Sequence, residues 1–508
     1  MCLSSIKFCC IQVFLFLSVQ IYGQDFELDS NFGIAGVGEK WGNTSSHNRG
    51  MKVDPAGRIY LFGGGMIQGQ SYLDPTIVRY RPDGMLDHSF GVEGKVFVDA
   101  ERGGLFTDVG FQSDGKIIAI GEQQLLSNTL IVYRFLESGV IDSTFANNGL
   151  LFSTRWEARA VQVLADDRIL ISGDLGGNHS QVTVLKFEPD GEIDDTFGAS
   201  GFAIGEDERS GGFNHNLALD DFGNIVVFGK SQFDLIVKKF DARGNPDLSF
   251  GQSGIVRFKN LTGENLQLRA GAITVQADQK IVLAFENSWG VYGGSGLIRF
   301  LPNGQLDSNF GSGGISLLPR PYFGRLFTPQ DMAVDEQGRI WVSGSSYTHD
   351  WPSDYKGAFA LFDPLGNIAS QFAENGLAIG LETAQGIGMK VEGDQVLIGG
   401  AYGFSVSRYI VDLLNSSEPI PSEKSFMKIY PNPVLDAHLK IDYKISHPEN
   451  LYRVEIKSID GGLQLLKQVR LNQSGVITIS TGKLPNGTYI CRLWGGNLNL
   501  FQKFIVGQ

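Results

Sequence analysis

From Val53 to Val411 the chain is written in short apolar runs separated by polar corners, and the order of the runs repeats. One copy shows the grammar. Phe106–Gln112 is apolar and β-prone, Ser113-Asp114-Gly115 is a turn signal, and Lys116–Gly121 (KIIAIG) is almost continuously apolar. After a variable loop come Leu130–Phe135 (LIVYRF), a turn at Glu137–Gly139, a polar phrase ending near Phe145, and Leu150–Ser153. Short runs bounded by Gly and Asp predict four strands per copy, labelled A to D in chain order. The A–B corner returns as VDPAGRIYLFGG at Val53, LADDRILISG at Leu164, LDDFGNIVVFG at Leu219, VQADQKIVLAF at Val275, VDEQGRIWVSG at Val334 and VEGDQVLIGG at Val391.

The polar phrase between strands C and D fixes the period. It reads LDSNFG at Leu28–Gly33, LDHSFG at Leu86–Gly91, IDSTFA at Ile141–Ala146 and IDDTFG at Ile193–Gly198. It returns as PDLSFG at Pro246–Gly251, LDSNFG at Leu306–Gly311 and IASQFA at Ile368–Ala373, with steps of 52–62 residues between its phenylalanines. A four-stranded antiparallel unit repeated seven times predicts an all-β, seven-bladed β-propeller. Packing of blades face to face accounts for strand B, which is apolar throughout rather than alternating. An open β-solenoid would have shorter coils than these.

The first phrase precedes any A, B or C strand, and the last copy stops after C. The orphan segment Gly36–Lys40 is therefore expected to serve as the missing D strand and close the ring, removing an exposed edge. On one face of the ring lie the monotonous Asp-Gly turns and the repeated phrase, whose Asp is expected to cap its turn and whose Phe is expected to plug the gap between blades. Metal ligation by those Asp residues is the weaker alternative. The opposite face carries the variety: NSWGVYGGSG at Asn287–Gly296, LPRPYFGRLFTP at Leu318–Pro329 and SSYTHDWPSDYKG at Ser345–Gly357. Trp289, Tyr292, Arg320, Tyr322, Arg325, Tyr347, His349, Trp351 and Tyr355 are thereby directed to one sector. Aromatic rings with a few polar groups on an irregular rim suit a glycan or peptide ligand. That they serve only to pin long loops stays open.

Asp412–Lys424 (DLLNSSEPIPSEK) lacks any apolar pattern and reads as a linker. Beyond it, residues 425–508 hold about seven short strands, with Leu439, Ile441, Tyr443 and Ile445 alternating against Lys440, Asp442 and Lys444. An immunoglobulin-like sandwich fits that count.

At the other end, Lys7 followed by the apolar stretch Phe8–Val19 predicts a signal peptide, residues 1–23, cleaved near Gly23. Cys2, Cys9 and Cys10 leave with it, so Cys491 is the one remaining thiol and no internal disulfide forms. No apolar run reaches the length of a membrane span. Residues 425–508 carry ten Lys/Arg against five Asp/Glu, so with Lys7 set aside residues 24–424 hold a net charge of −19 within the chain's −13. An acidic body argues against nucleic acid as a partner.

The repeats resemble the delta-60 family, in which a PDGK-type hairpin accompanies a PDGxLDxxFG phrase, over residues 25–411. The resemblance implies the propeller and no particular activity; Ala146, Pro246 and Ala369 depart from the pattern. The tail resembles the type A sorting domain of type IX secretion, found in Bacteroidetes, through IYPNPV at Ile429–Val434, VEIKSIDG at Val454–Gly461, LPNGTYICRL at Leu484–Leu493 and KFIV at Lys503–Val506. That resemblance implies handling by the type IX machinery through residues 425–508, removal of the tail within the linker, and a passenger that is secreted or held at the cell surface.

No metalloprotease, nucleophile-elbow, Walker or paired-Cys motif occurs, and the seven His residues show no ligand spacing. No cofactor or metal is implied. The expectation is a non-enzymatic binding or scaffolding module. The alternative is a secreted carbohydrate-active enzyme, a glycoside hydrolase or lyase, with carboxylates assembled at the channel across blades.

Overall fold

The computed structural model describes residues 26–39, 46–66, 72–99, 103–123, 129–154, 156–175, 181–204, 216–231, 234–258, 268–287, 294–318, 325–348, 355–369, 372–373, 376–381, 385–411, 426–430, 438–444, 451–458, 463–472, 474–495 and 498–506. Residues 1–23 and 412–424, expected to be a signal peptide and a linker, lie outside the described residues. The chain divides into two compact units, Met1–Leu413 and Leu414–Gln508.

Each apolar run of the first unit is a strand, and its described strands form seven four-stranded antiparallel sheets. The first comprises His47–Val53, Ile59–Gly65, Asp74–Tyr80 and Lys95–Phe97, paired in that order. Five more follow with A strands beginning at Gly104, Trp156, Leu217, Leu268 and Arg325. In the seventh, Gly386–Glu392, Gln395–Gly400 and Val406–Val411 are completed by Phe26–Leu28 from the start of the chain. Each A strand lies against the A strand of the next sheet, and the seventh lies against the first. The unit is a propeller in which both faces of nearly every sheet are covered. Ile59–Gly65 and Asp74–Tyr80 are accordingly buried at every residue. Burying each large apolar side chain of this kind stabilises by about 1.5–3 kcal/mol.

Ring closure begins where the D strand was expected, at Gly36–Lys40: Arg408 N–H donates to the Gly36 carbonyl at 3.0 Å, as Arg79 N–H does to that of Gly94 in the first sheet. Among the described residues after the phrase, Val37 bridges Ser407, as Lys95 pairs with Val78, and Gly38 N–H donates to the Val406 carbonyl at 2.8 Å. A further pairing lies before the repeated phrase, with Phe26 opposite Val411 and Leu28 opposite Tyr409. Phe26 anchors this added pairing. Its ring packs against Phe359, Phe372 and Tyr409 with centroids 5.5–6.2 Å apart, an anchor that Gly36 and Gly38 lack.

The repeated phrase works as a clamp between sheets. In the fifth sheet Asp307 caps its turn by accepting from Asn309 N–H at 3.1 Å, while its other oxygen accepts from Arg299 Nε at 2.9 Å. The Arg299 guanidinium lies 4.3 Å above the Phe310 ring, and its Nη1 donates to the Pro364 carbonyl of the sixth sheet at 2.6 Å. Gly311 N–H donates to Leu365 of that same turn at 2.7 Å. Arg79–Asp87–Phe90, Arg134–Asp142–Phe145, Lys186–Asp194–Phe197 and Arg408–Asp29–Phe32 repeat the arrangement. Lys239 pairs with Asp247 in the fourth sheet. The sixth sheet replaces both charges, with Leu361 and Ala369 at those positions, and surrounds Phe372 with Trp341 and Phe359 instead. An ion pair and its apolar replacement thus occupy the same place in one molecule.

Glycine at the end of the phrase has a steric reason. Gly91 sits at φ +54°, where a Cβ would lie 2.0 Å from the Lys95 carbonyl oxygen. Ala146 takes the equivalent place at φ +41°, and one of the two hydrogen bonds across the loop is longer there. Asn147 N–H to Leu150 O measures 3.3 Å where Val92 N–H to Lys95 O measures 2.8 Å.

The second unit is also all-β. Phe426–Tyr430, His438–Lys444 and Ser474–Ser480 form one sheet, and Leu463–Arg470, Leu451–Ser458, Gly487–Gly495 and Leu498–Val506 form the other. Leu439, Ile441, Val454, Ile456, Leu493 and Phe504 share one core with Cys491. Burial pushes the Cys491 thiol up to about 12, so it behaves as a small apolar residue.

Candidate rim and channel sites

The irregular face is held by strand ends of the fifth and sixth sheets. Tyr347 lies near the end of Ile340–Thr348, and Tyr355 immediately precedes Lys356–Phe362, so the two flank one loop. Their rings stack with centroids 5.1 Å apart and planes 18° from parallel. Tyr347 is fixed from below, its hydroxyl donating to Glu286 Oε1 at 2.9 Å across to the fifth sheet. Glu286 is only 4 % exposed, at the end of an otherwise apolar strand, Ile281–Asn287. Burial, and then the adjacent Glu286 carboxylate, push the Tyr347 phenol up to about 12. It therefore stays protonated and donating at any physiological pH. Tyr355, by contrast, leaves half of its surface in solvent. The result is a two-ring platform, the inner ring locked and the outer ring presented.

Of the other rim residues, Arg325 opens the strand Arg325–Val334, opposite Thr348. Trp289, Tyr292, Arg320, Tyr322, His349 and Trp351 lie outside the described residues. Glu286 was not singled out in the sequence. Its signal was the single acidic residue closing the run IVLAF.

The channel carries two carboxylates on A strands, each following a bulge. Asp108 accepts from Val109 N–H at 2.8 Å and from Val161 N–H of the third sheet at 2.9 Å. Asp331 accepts from Met332 N–H and from Met389 N–H of the seventh sheet, both at 2.8 Å. Each is a staple between inner strands. In the seventh sheet the equivalent residue is Gly388, where a Cβ would lie 2.7 Å from Met51 N, so direct backbone approach replaces the staple. Burial pushes Asp331 up to about 6, against the pull of its two amides and Lys52. Among the described residues no group of three or more His, Cys, Asp or Glu side chains gathers in a way that could hold a metal ion.

Residues 428–507 match the family model of a secretion system C-terminal sorting domain. Residues 56–90 and 112–145 match that of the β-propeller domain of unknown function DUF5122. The sorting domain directs the chain through type IX secretion to the cell surface or the medium. No curated protein matches the sequence. Among solved structures, a protein from Lactobacillus plantarum is 13% identical, with a TM-score of 0.40 over 66% of this chain and 88% of that one. A polysaccharide lyase, an ulvan lyase, is 12% identical with a TM-score of 0.40 over 88% and 96%. A quinoprotein alcohol dehydrogenase-like protein from Bacteroides thetaiotaomicron is 11% identical with a TM-score of 0.38 over 67% and 68%. Likeness at this level assigns no activity. Among the described residues no helix is long and apolar enough to cross a membrane.

Proposed function

We propose that the exported chain is a non-enzymatic binding module. In this reading, residues 24–411 form a seven-bladed propeller of the delta-60 type that presents its irregular rim to a glycan or peptide outside the cell. Residues 1–23 are the signal peptide, 412–424 the linker, and 425–508 an immunoglobulin-like sorting domain that delivers the propeller. The observation that carries the reading is the Tyr347–Tyr355 platform. A ring half open to solvent, stacked on a second ring whose hydroxyl is pinned to a buried carboxylate, loses little side-chain freedom when a flat ligand face lies on it. Loop pinning alone does not call for an outer ring that stays exposed. An enzyme at the channel would need free carboxylates, whereas Asp108 and Asp331 each hold oxygens against backbone amides.

A glycan and peptide array probed with the exported chain and with Tyr355→Ala tests this. Tyr355→Ala should lose about ten-fold or more in affinity for at least one ligand of the native chain, at an unchanged melting temperature. If the substitution weakens none of the bound ligands, or neither array is bound, the rim assignment is refuted.

A further inference from the structure

The repeat supplies its own comparison at the opposite end of the channel. Each A strand places one residue two positions ahead of its turn, in the same register. Three adjoining sheets have Ala218, Thr274 and Ala333 there, while the other four have Lys390, Lys52, Gly110 and Gln162. Beside those four lies a cavity of about 690 Å³, within the roughly 300–1,000 Å³ usual for small-ligand sites. Gly110, between Lys52 and Gln162 in the ring, adds no side chain to the wall. The place where the repeat breaks its own pattern is therefore the place where it opens.

The charges at this mouth are matched. Asp54 is taken by Arg58 Nε at 2.6 Å and by the amides of Ala56 and Arg58. Lys52 Nζ lies 3.3 Å from Asp108, and Lys390 Nζ lies 3.7 Å from Glu392. Both contacts are long and both lysine side chains are 40% or more exposed. Such pairs contribute about 0–1 kcal/mol and yield easily to a competing hydrogen-bond partner. Deeper in the channel the Asp331 carboxyl adds further acidity, so no positive excess is left to attract an anion. What remains are two ammonium groups and the Gln162 amide as donors, the amide now on the Val163 carbonyl at a long 3.2 Å, and Glu392 and the Gln162 carbonyl as acceptors. They stand over the partly buried apolar side chains of Val53, Phe111 and Val163. Hydroxyl groups donate and accept at once, and the C–H face of a sugar ring suits an apolar wall.

We propose that this channel mouth binds the end of an uncharged saccharide chain, at a site separate from the rim platform. The test begins with an array of neutral oligosaccharides and the whole exported chain. Calorimetric titration of any bound glycan then follows for the native chain and for Lys390→Met, Gln162→Leu and Tyr355→Ala. Lys390 and Gln162 are exposed and outside the strand cores, so both variants should keep the native melting temperature. Each should lose about ten-fold in affinity, the worth of one charge-assisted or buried hydrogen bond. Affinity of the native chain should change less than about two-fold between 50 and 500 mM salt, because no ligand charge is screened. The proposal fails if no neutral glycan binds, or if affinity is unchanged in both mouth variants. It fails equally if only acidic ligands bind, with steep salt dependence. A glycan lost in Tyr355→Ala and kept in the mouth variants belongs to the rim and counts against this site.

Discussion

Replacing Arg299 by Leu removes one member of the buried clamp in the fifth sheet and leaves the other behind. Asp307 is 2 % exposed, so its carboxylate would keep only Lys280 Nζ, at 3.5 Å, and the Asn309 amide. The Pro364 carbonyl would lose its 2.6 Å donor, and Phe310 the cation above its ring. Breaking a buried pair from one side costs about 3–5 kcal/mol, of which the cation–π contact contributes ~0.5–2 kcal/mol. Lys280 should hold the loss to the lower end of that range. The double variant Arg299→Leu/Asp307→Ala recreates the apolar pair Leu361/Ala369 of the sixth sheet and removes the stranded charge. It should be more stable than Arg299→Leu alone, with a coupling energy of about 2 kcal/mol in a double-mutant cycle. Equilibrium urea denaturation of the four proteins, followed by tryptophan fluorescence, measures this. Additive single effects, or a cost for Arg299→Leu below about 1 kcal/mol, would refute the clamp as an energetic unit.

Two further outcomes follow from the closure and from the channel staples. Deleting residues 24–38 exposes the edge of Val406–Val411 and uncovers the aromatic cluster around Phe359, so the melting temperature should fall by several degrees or more; an unchanged melting temperature would show the strand to be dispensable. Asp331 is raised in the folded state from 3.8 to about 6, so its protonation favours folding and that contribution disappears as pH rises through 6. Native stability should therefore climb by up to about 3 kcal/mol from pH 7 to 4 on this account. Asp29, Asp87, Asp142, Asp194 and Asp247 work in the opposite sense. Burial tends to raise them, but turn hydrogen bonds and their cations hold them below 3.8, so their contribution is lost at lower pH. Asp331→Asn should flatten the first limb and leave the acid limb; a first limb that persists in the variant would reject the assignment.

The sheets were legible because strand B is buried on both faces and its apolar run needs no partner to be read. The Asp and Phe of the repeated phrase were legible for a similar reason: six copies of the Asp and seven of the Phe report one geometry. Their cationic partner was visible in the strings around Arg79, Arg134 and Arg299, yet its role depends on a contact with the turn of the following sheet. The joint appearance of Leu361 and Ala369 was the sequence's trace of that pairing. Closure at Gly36–Lys40 was legible because the phrase is followed by a D strand elsewhere, whereas the added pairing of Phe26–Leu28 rests on ring contacts that no repeat announces. Glu286 and Tyr347 meet across 61 positions and two sheets, which no local pattern encodes. The channel mouth was invisible for another reason, since it consists of what Gly110 does not fill.

The pairing of Phe26 with Val411 has a consequence for timing. These two residues are the first and last of the ring, so the closing strand emerges earliest and waits for a partner some 385 positions behind it. Loop entropy discourages so distant an encounter until intervening sheets have shortened the gap. A chain threaded through a membrane from its amino end cannot complete this ring while any later sheet is still on the near side. The topology itself thus ties locking of the ring to the arrival of its last sheet.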